Sequence, residues 1–402
     1  MKEIVGGICA AKGFLASGVQ AHIKSRKTDK LDVAVVYSTS PATAAGVFTT
    51  NKVKAACVRL SSEVIARGPI QAIVMNSGNA NCCTGDQGLH DTFTMQAAAA
   101  RGLNINAQSV AVASTGVIGE RLPMDRMLPG IAEACVSIKP EGGVDAASAI
   151  MTTDTFRKEC AVSVLIGGKE VILGGMAKGS GMIHPNMATT LGFVTSDAKI
   201  SYDALQSALK EANDRSFNMI SVDGDTSTND MIIVLANGQA DHEEITLDSE
   251  NYKIFTSALE KVLVSLAKQV IKDGEGATKM FEVNVIGAAS EQDARKAARA
   301  VSSSSLVKSA IFGNDANWGR ILCALGYSGA DFDPSLVDLS IGSVPVMRHG
   351  ANLPFDEEEA SKVLSQNEMV ITACLHAGFA NAKAWGCDLT YDYVKINGSY
   401  RT

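Results

Sequence analysis

The sequence predicts a mixed α/β protein that contains more than one packed unit. Segments with the periodicity of strands alternate with segments of helical periodicity along the chain, without a low-complexity linker or a short-period repeat. The 402 residues exceed the ~250–300 residues at which a single hydrophobic core stops growing. Because 46% of the residues are hydrophobic and 5% are aromatic, we expect a core built mainly from Ala, Val, Ile and Leu.

A β-hairpin is predicted near the middle of the chain. Two runs rich in β-forming residues, 160–166 and 171–173, flank a turn at residues 167–170 that begins with two glycines. The segment that follows, residues 174–187, is rich in Gly and turn-forming residues.

Two amphipathic helices are predicted after this hairpin. Ser201 or Asp203 can cap the first helix, whose apolar positions at helical spacing are Leu205, Ala208, Leu209 and Ala212. The second helix is expected to stop at Gly274 after Lys272, and its apolar face consists of Leu259, Val262, Leu263, Leu266 and Val270.

The pattern restarts after Phe281 with a strand-like run and a third helix. The apolar positions of that helix are Ala294, Ala297, Ala298 and Val301. We therefore place a boundary near residue 285, between domains of residues 1–285 and 286–402.

Charge and cysteine content argue against several classes of function. The net charge is −7 and no cluster of Lys and Arg is present, so nucleic acid is not an expected partner. Long charge-free stretches, such as residues 33–51 and 69–85, are interrupted by polar residues, Pro and Gly, so no membrane span is expected. The first residues lack an apolar run of signal-peptide type, and we expect a cytoplasmic protein. The nine cysteines form no CxxC pair, which disfavours disulfides and zinc.

Several known motifs are approached but not matched. Lys178 precedes Gly179, whereas a phosphate-binding loop requires Gly before Lys. Asp223 and Asp225 resemble the start of a calcium loop, but Thr228 replaces its essential glycine, and a turn is the simpler interpretation. No Gly-x-Ser-x-Gly elbow and no pair of histidines at metal-ligand spacing is present, so we expect no metal.

The motif that remains is KGSGMIHPNMATTLGFV, residues 178–194. A Gly-Ser-Gly stretch leads through Pro185 to Thr189, which stands at the start of an apolar strand. This arrangement suits the presentation of a hydroxyl group. From the residues alone, an ordinary structural threonine is the alternative, because Thr is β-branched and common in strands.

The chain also contains a set of short polar and glycine-rich segments. They are AKGFLASG at 11–18, AGVFTT at 45–50, NSGNAN at 76–81, STGVIG at 114–119, MTTDT at 151–155, DGDTSTND at 223–230, DGEGAT at 273–278 and IFGNDANWGRI at 311–321. In this order, and together with residues 178–194, they resemble the ornithine acetyltransferase family, the self-processing bifunctional glutamate N-acetyltransferases of arginine biosynthesis. The resemblance covers the whole chain.

The resemblance implies self-cleavage between Ala188 and Thr189, into an α chain of residues 1–188 and a β chain of 189–402. Thr190 departs from the family, where Met is more frequent, but Ala188 directly before Thr189 favours Thr189 as the reacting residue. A Thr hydroxyl needs a nearby base, and the α-amine freed by cleavage has a reference pKa of about 7.7–8.0 that suits this role. Thr189 would then carry acetyl from N2-acetyl-L-ornithine to L-glutamate.

Further site residues follow from the resemblance position by position. Thr115 and Gly116 match the oxyanion-hole pair, which would donate hydrogen bonds to the tetrahedral intermediate. The expected substrate-binding residues, in addition to Thr189, are Thr152, Lys178, Glu275, Asn397 and Thr402, with Thr153 as an alternative to Thr152. Lys178 suits a carboxylate and Glu275 the ornithine ammonium group. Each of these positions also has an ordinary structural interpretation, such as a glycine turn or a solvated charge.

The implied fold is a four-layer αββα sandwich of the self-processing DmpA/ArgJ-like type with a smaller C-terminal α/β domain. The implied assembly is a heterotetramer of two α and two β chains. No cofactor is expected, and acetyl-CoA is a second acetyl donor that the motifs allow. A related self-processing aminopeptidase or amidase, which would pass the acyl group to water, is the alternative function, and a non-enzymatic small-molecule-binding protein is the third.

Overall fold

The computed structural model describes residues 1–24, 29–184 and 190–399. Within these residues it contains strands and helices in alternation, which confirms the predicted α/β class. The strands are β1 Lys2–Ile4, β2 Phe14–Val19, β3 Val33–Phe48, β4 Ile70–Asn79, β5 Val110–Val117, β6 Lys158–Ile166, β7 Lys169–Lys178, β8 Leu191–Ser196, β9 Ile220–Ser221, β10 Met231–Ala236, β11 Met280–Ala288, β12 Asp338–Ile341, β13 Val344–Arg348, β14 Ala351–Asn352, β15 Glu368–Cys374 and β16 Ala380–Cys387. The helices are α1 Ala56–Arg67, α2 Gly85–Leu103, α3 Met124–Val136, α4 Gly143–Ala149, α5 Tyr202–Asp214, α6 Glu250–Lys272, α7 Glu291–Ser303, α8 Ser305–Phe312, α9 Trp318–Gly326, α10 Glu357–Leu364 and α11 Tyr391–Ser399.

The long strand β3 belongs to two β layers at once. Its first part pairs antiparallel with β2 and with β4, and β5 lies parallel beside β4. Its last part pairs antiparallel with β10, which continues the sheet through β8, β7, β6 and β1. A register shift between Tyr37 and Ala42 separates the two parts. One chain segment therefore connects two β layers.

Helices cover the outer faces of both layers. Because neighbouring residues of a strand point to opposite faces of the sheet, one strand contributes side chains to two different sides. Phe193 and Ile233 pack with the residues of β3, β4, β5 and helices α1 to α3. Their neighbours Val194 and Ile232 pack on the other side, against α5 and α6. The order helix, sheet, sheet, helix confirms the expected four-layer αββα sandwich.

A second sheet is formed mainly by the C-terminal part of the chain. Its strand order is β14, β13, β12, β15, β11, β16 and β9, and α7 packs against β11 and β16. The short strand β9 comes from the sandwich, so the two parts of the chain share a sheet as well as a continuous core. Residue 285 lies inside β11, and the change of sheet falls between α6 and β11. The domain boundary near 285 stays a prediction.

The locally encoded elements agree closely with expectation. β6 and β7 form the predicted hairpin, with a tighter turn in which Gly167 and Gly168 adopt φ of +56° and +77°. Ser201 caps α5 by accepting a hydrogen bond from the Ala204 amide at 3.4 Å. Helix α6 ends at Lys272 as expected: Asp273 is its C-cap and Gly274 follows directly, while the left-handed glycine of this segment is Gly276.

The glycines that follow the hairpin lie in a strand. Gly174 and Gly175 belong to β7, which continues to Lys178. A Cβ atom on Gly174 would lie 2.1 Å from the carbonyl oxygen of Gly7. These glycines therefore allow a neighbouring segment to approach the strand closely, and β7 carries Lys178 to the edge of the sheet.

Candidate active site

A cavity of about 230 Å³ opens where the ends of β5 and β7 meet the segment before β10. The predicted site residues that line it are Thr115, Gly116, Thr152, Thr153, Lys178, Glu275 and Asn397. Thr190, which follows the expected cleavage bond, also lines it. The expected cleavage residues Ala188 and Thr189 and the terminal Thr402 lie outside the described residues. Positions that are distant in the sequence thus surround one cavity.

Thr115 and Gly116 lie near the end of β5, beside an irregular part of β4. The register between these parallel strands shifts at Gly78 and Asn79. Gly116 has a φ of +132°, and a Cβ atom there would lie 2.3 Å from the carbonyl carbon of Gly78. A larger residue at 116 would therefore force the two strands apart.

Lys178 extends from the last position of β7 into the cavity and is 8% exposed. Its Nζ lies 3.5 Å from Oγ1 of Thr115, to which it donates a hydrogen bond. Burial acts to raise the pKa of the neighbouring Asp154, but the positive charges of Lys178 and Lys158 outweigh it and lower that pKa to about 2. Asp154 is therefore ionised at neutral pH and is the counter-charge of a buried cationic site.

Asp154 also fixes the backbone around two of the predicted substrate-binding residues. Its Oδ2 accepts a hydrogen bond from the Thr152 amide at 2.8 Å, and its Oδ1 accepts one from the Gly179 amide at 2.7 Å. A single buried carboxylate therefore positions Thr152 and the residue next to Lys178.

The fully buried Lys158 links this part of the site to the Glu275 segment. Its Nζ lies 2.6 Å from Oδ1 of Asp154 and 2.5 Å from Oδ2 of Asp273. The carbonyl oxygen of Asp273 accepts a hydrogen bond from the Ser180 hydroxyl at 2.6 Å. The Glu275 amide in turn donates to the Ser180 carbonyl at 3.0 Å. One ion triad therefore connects the three segments that carry Thr152, Lys178 and Glu275.

Glu275 and Asn397 are in direct contact. Nδ2 of Asn397, on α11, donates a hydrogen bond to Oε2 of Glu275 at 2.8 Å. Glu275 is 7% exposed, although an acidic residue after a helix end is ordinarily solvated. The contact leaves Oε1 of Glu275 as an acceptor for a ligand.

Three further aspartates, Asp223, Asp225 and Asp230, line the cavity and come from the DGDTSTND segment. Asp223 accepts hydrogen bonds from the amides of Met182 at 2.6 Å and Ile183 at 2.8 Å. Burial raises the pKa of Asp223, against the effect of these hydrogen bonds. Asp230 is 3% exposed, and burial raises its pKa well above the usual range. The calcium-like segment is therefore a turn that holds the segment after Gly181.

The charges of the cavity suit a ligand that carries both signs. Among the described residues that line it, Lys178 is the cation, whereas Asp223, Asp225, Asp230 and Glu275 are the acids. A carboxylate near Lys178 and an ammonium group near Glu275 would each meet an opposite charge. A small amino acid with an ionised side chain has this pattern.

Comparison with known proteins agrees with the sequence motifs. The model of the ArgJ family matches residues 15–402. The chain belongs to the ArgJ family. It is 59% identical to the arginine biosynthesis bifunctional protein ArgJ of Symbiobacterium thermophilum and 53% identical to that of Caldanaerobacter subterraneus subsp. tengcongensis, in both cases over the whole of both chains.

A solved structure supports the same assignment. The crystal structure of arginine biosynthesis bifunctional protein ArgJ from Bacillus halodurans matches with a TM-score of 0.51 and 48% identity, over 53% of this chain and 100% of that chain. The recognition of an acetyltransferase family of arginine biosynthesis is confirmed, and so is its preference over the related aminopeptidase. ArgJ-family enzymes act on small molecules, in agreement with a cavity of about 230 Å³. Within the described residues, no helix has the length and apolar character needed to cross a membrane.

Sequence reasoning missed the residues that hold the site together. Asp154 and Asp273 stand inside the motifs MTTDT and DGEGAT, but these motifs alone indicate no role for them. Lys158 had no signal, because a lysine in a strand is ordinarily exposed. Asp230 closes a recognised motif, and its position directly before an apolar run was a signal that it would be buried.

Proposed function

We propose that this chain moves acetyl from N2-acetyl-L-ornithine to L-glutamate through an acetyl-Thr189 intermediate, giving L-ornithine and N-acetyl-L-glutamate. The observation that carries the proposal is that Thr115, Gly116, Thr152, Lys178, Glu275 and Asn397 surround one cavity together with Thr190. Their roles follow from the family resemblance. The relatives named above are called arginine biosynthesis bifunctional proteins, which supports the same pathway.

The first step of the mechanism is self-cleavage. The Thr189 hydroxyl attacks the carbonyl carbon of Ala188, the acyl group shifts from nitrogen to oxygen, and water hydrolyses the resulting ester. The match with the Bacillus halodurans chain supports this step, because that whole chain covers 53% of this one. A fragment that begins at Thr189 would likewise be a little over half of the chain.

Turnover then uses the new α-amine of Thr189 as the base. The amine takes the hydroxyl proton while Thr189 Oγ1 attacks the acetyl carbonyl, and the proton passes to the departing amine of ornithine. Thr115 donates through its hydroxyl and Gly116 through its amide to the oxyanion. Glutamate enters after ornithine leaves, and its amine attacks the acetyl ester. No cofactor is needed, because the acetyl group stays covalently bound between the two half-reactions.

The charge pattern assigns the ends of the substrate. Lys178 holds the α-carboxylate as a point charge. Glu275, oriented by Asn397, holds the side-chain ammonium group of ornithine. Thr152 contributes a hydroxyl to the same cavity, and the terminal Thr402 is proposed as a further contact.

The test is mass spectrometry of purified protein mixed with acetylornithine alone. We expect two fragments on denaturing gels, with the second beginning at Thr189, and an acetyl adduct on that fragment only. Double-reciprocal plots of the steady-state rate against acetylornithine, at several fixed concentrations of glutamate, should give parallel lines, as ping-pong transfer requires. An unprocessed chain with full activity, or intersecting lines without an adduct, would contradict the covalent mechanism. Release of free acetate at the transfer rate would instead support the amidase function.

We also propose acetyl-CoA as a second donor to glutamate, because the relatives are named bifunctional. Incubation of the protein with glutamate and either donor distinguishes the two activities. The processed chains are proposed to form a heterotetramer of two α and two β chains in the cytoplasm, as the family resemblance implies. Light scattering after gel filtration measures the assembly, and cell fractionation measures the location.

A further inference from the structure

Asp230 contains a buried oxygen atom that has no hydrogen-bond partner among the described residues. The residue is 3% exposed, lines the cavity and directly precedes β10, and its Oδ2 is the unpaired atom. Buried polar atoms almost always have a partner, and an exception calls for an explanation. Nothing in the mechanism described above uses this carboxyl group.

The position of Asp230 relates it to the bond that is cleaved. The amide of Met231, the residue after Asp230, donates a hydrogen bond to the carbonyl of Thr190 at 3.0 Å. In the parallel pairing of β8 with β10, Met231 lies opposite Leu191. Thr189 is covalently bound to Thr190, and consecutive Cα atoms are about 3.8 Å apart. Asp230 therefore lies at the same edge of the sheet as Thr190, the residue that follows Thr189 in the chain.

The intact chain needs a base that the mature enzyme does not need. The α-amine that serves in turnover is still part of the peptide bond before cleavage. Asp230 differs from the other acidic residues that line the cavity: both oxygens of Asp223 accept backbone amides, Oε2 of Glu275 accepts from Asn397, and Asp225 is exposed. His184, the last described residue before the cleavage segment, bonds Ser221 through Nδ1. Burial and two nearby cationic side chains lower the pKa of His184 to about 4, which makes it a weak base.

We propose that the Asp230 carboxylate is the base of self-cleavage, an inference that rests on the proposed function of Thr189. Oδ2 takes the hydroxyl proton as the bond from Thr189 Oγ1 to the Ala188 carbonyl carbon forms. When the bond from that carbon to the Thr189 nitrogen breaks, the same proton passes to the nitrogen and yields the α-amine. Water then cleaves the ester, which returns the hydroxyl to Thr189 and leaves a carboxylate on Ala188.

The surroundings of Asp230 suit this role. Burial raises its pKa well above the usual range, while Ser227 and the charge of Lys178 act in the opposite direction. A carboxylate whose pKa is raised is a stronger base than a solvated one.

The test follows the conversion of freshly synthesised intact chain into two fragments in a cell-free system, by denaturing electrophoresis. Asp230→Asn keeps the shape of the side chain but removes the base, and we expect cleavage to slow by about 10²-fold or more. Asp230→Glu should restore part of the rate. The matched control is Asp91→Asn, which changes another buried aspartate, bonded to Gln87 on α2 and remote from the cavity. We expect the control to cleave at the parental rate.

A folded Asp230→Asn chain, judged by its melting temperature, that cleaves at the parental rate would overturn the proposal. If that variant is unstable, Asp230→Ala with added formate supplies the carboxylate separately. Acceleration by formate but not by chloride supports the base, and equal rates in both salts overturn it. The variant Thr189→Ala separates the two proposals. If this variant is cleaved, Thr189 is not the nucleophile. If it stays intact while Asp230→Asn is cleaved at the normal rate, only the role of Asp230 is refuted.

Discussion

Replacement of Asp154 by Asn should destabilise the protein at neutral pH and impair the site. Asp154 is 5% exposed, lies 2.6 Å from Lys158 and binds the amides of Thr152 and Gly179. Its pKa falls from 3.8 to about 2 in the folded protein. A difference of this size corresponds to about 2 kcal/mol of stability, at 1.36 kcal/mol for each pKa unit. The substitution removes this contribution and leaves Asp273 as the one carboxylate partner of Lys158 among the described residues.

The pH dependence has a defined sign. Because the folded-state pKa of Asp154 is depressed, its contribution is fully present above the unfolded-state value near 3.8 and is lost as the pH falls toward 2. The stability difference between the parent and Asp154→Asn should therefore be about 2 kcal/mol at pH 7 and should narrow below pH 4.

Urea unfolding followed by tryptophan fluorescence measures this difference. The exposed Asp248→Asn is the matched control, and we expect it to change stability by less than about 0.5 kcal/mol. An Asp154→Asn protein as stable as the parent at pH 7, or a difference that stays constant down to pH 3, would refute the reasoning. Transfer activity of folded Asp154→Asn should also fall, because Thr152 and the residue after Lys178 lose a charged acceptor.

Three further predictions concern the chemistry. Glu275→Gln keeps an oxygen that accepts from Asn397, so folding should be unchanged. The value of kcat/KM for acetylornithine should fall about 10- to 100-fold, which is the cost of losing a hydrogen bond to a charged group. Unchanged kinetics would show that Glu275 does not bind the ammonium group. Thr115→Ala should slow formation and breakdown of the acetyl adduct by about 10²–10³-fold in stopped-flow measurements. The affinity for ornithine, measured by calorimetry, should change little. An equally large loss of ornithine affinity would indicate a binding role for Thr115 instead. Thr189→Ala should remain one inactive chain on denaturing gels, whereas Thr190→Ala should still be processed, and the reverse result would move the nucleophile to Thr190.

The sequence by itself determined the elements whose signals are local. The hairpin of β6 and β7 and the helices α5, α6 and α7 follow from periodicity and capping within a few residues of one another. The resemblance to a family predicted the four-layer sandwich and seven of the residues that line the cavity. Both kinds of signal are contained in short segments of the chain, so they can be identified from the sequence without knowledge of the fold.

Only the tertiary structure decided how those segments are held together. Gly174 looks like a turn residue, yet it lies in β7 because the backbone of Gly7, far away in the sequence, passes close to it. Lys158 resembles any strand lysine until Asp154 and Asp273 are brought to its Nζ. The unpaired oxygen of Asp230 has no counterpart in sequence patterns. The physical reason is common to all three: the energy of a buried charge, or of a close backbone approach, depends on groups distant in the chain that folding brings within a few ångströms.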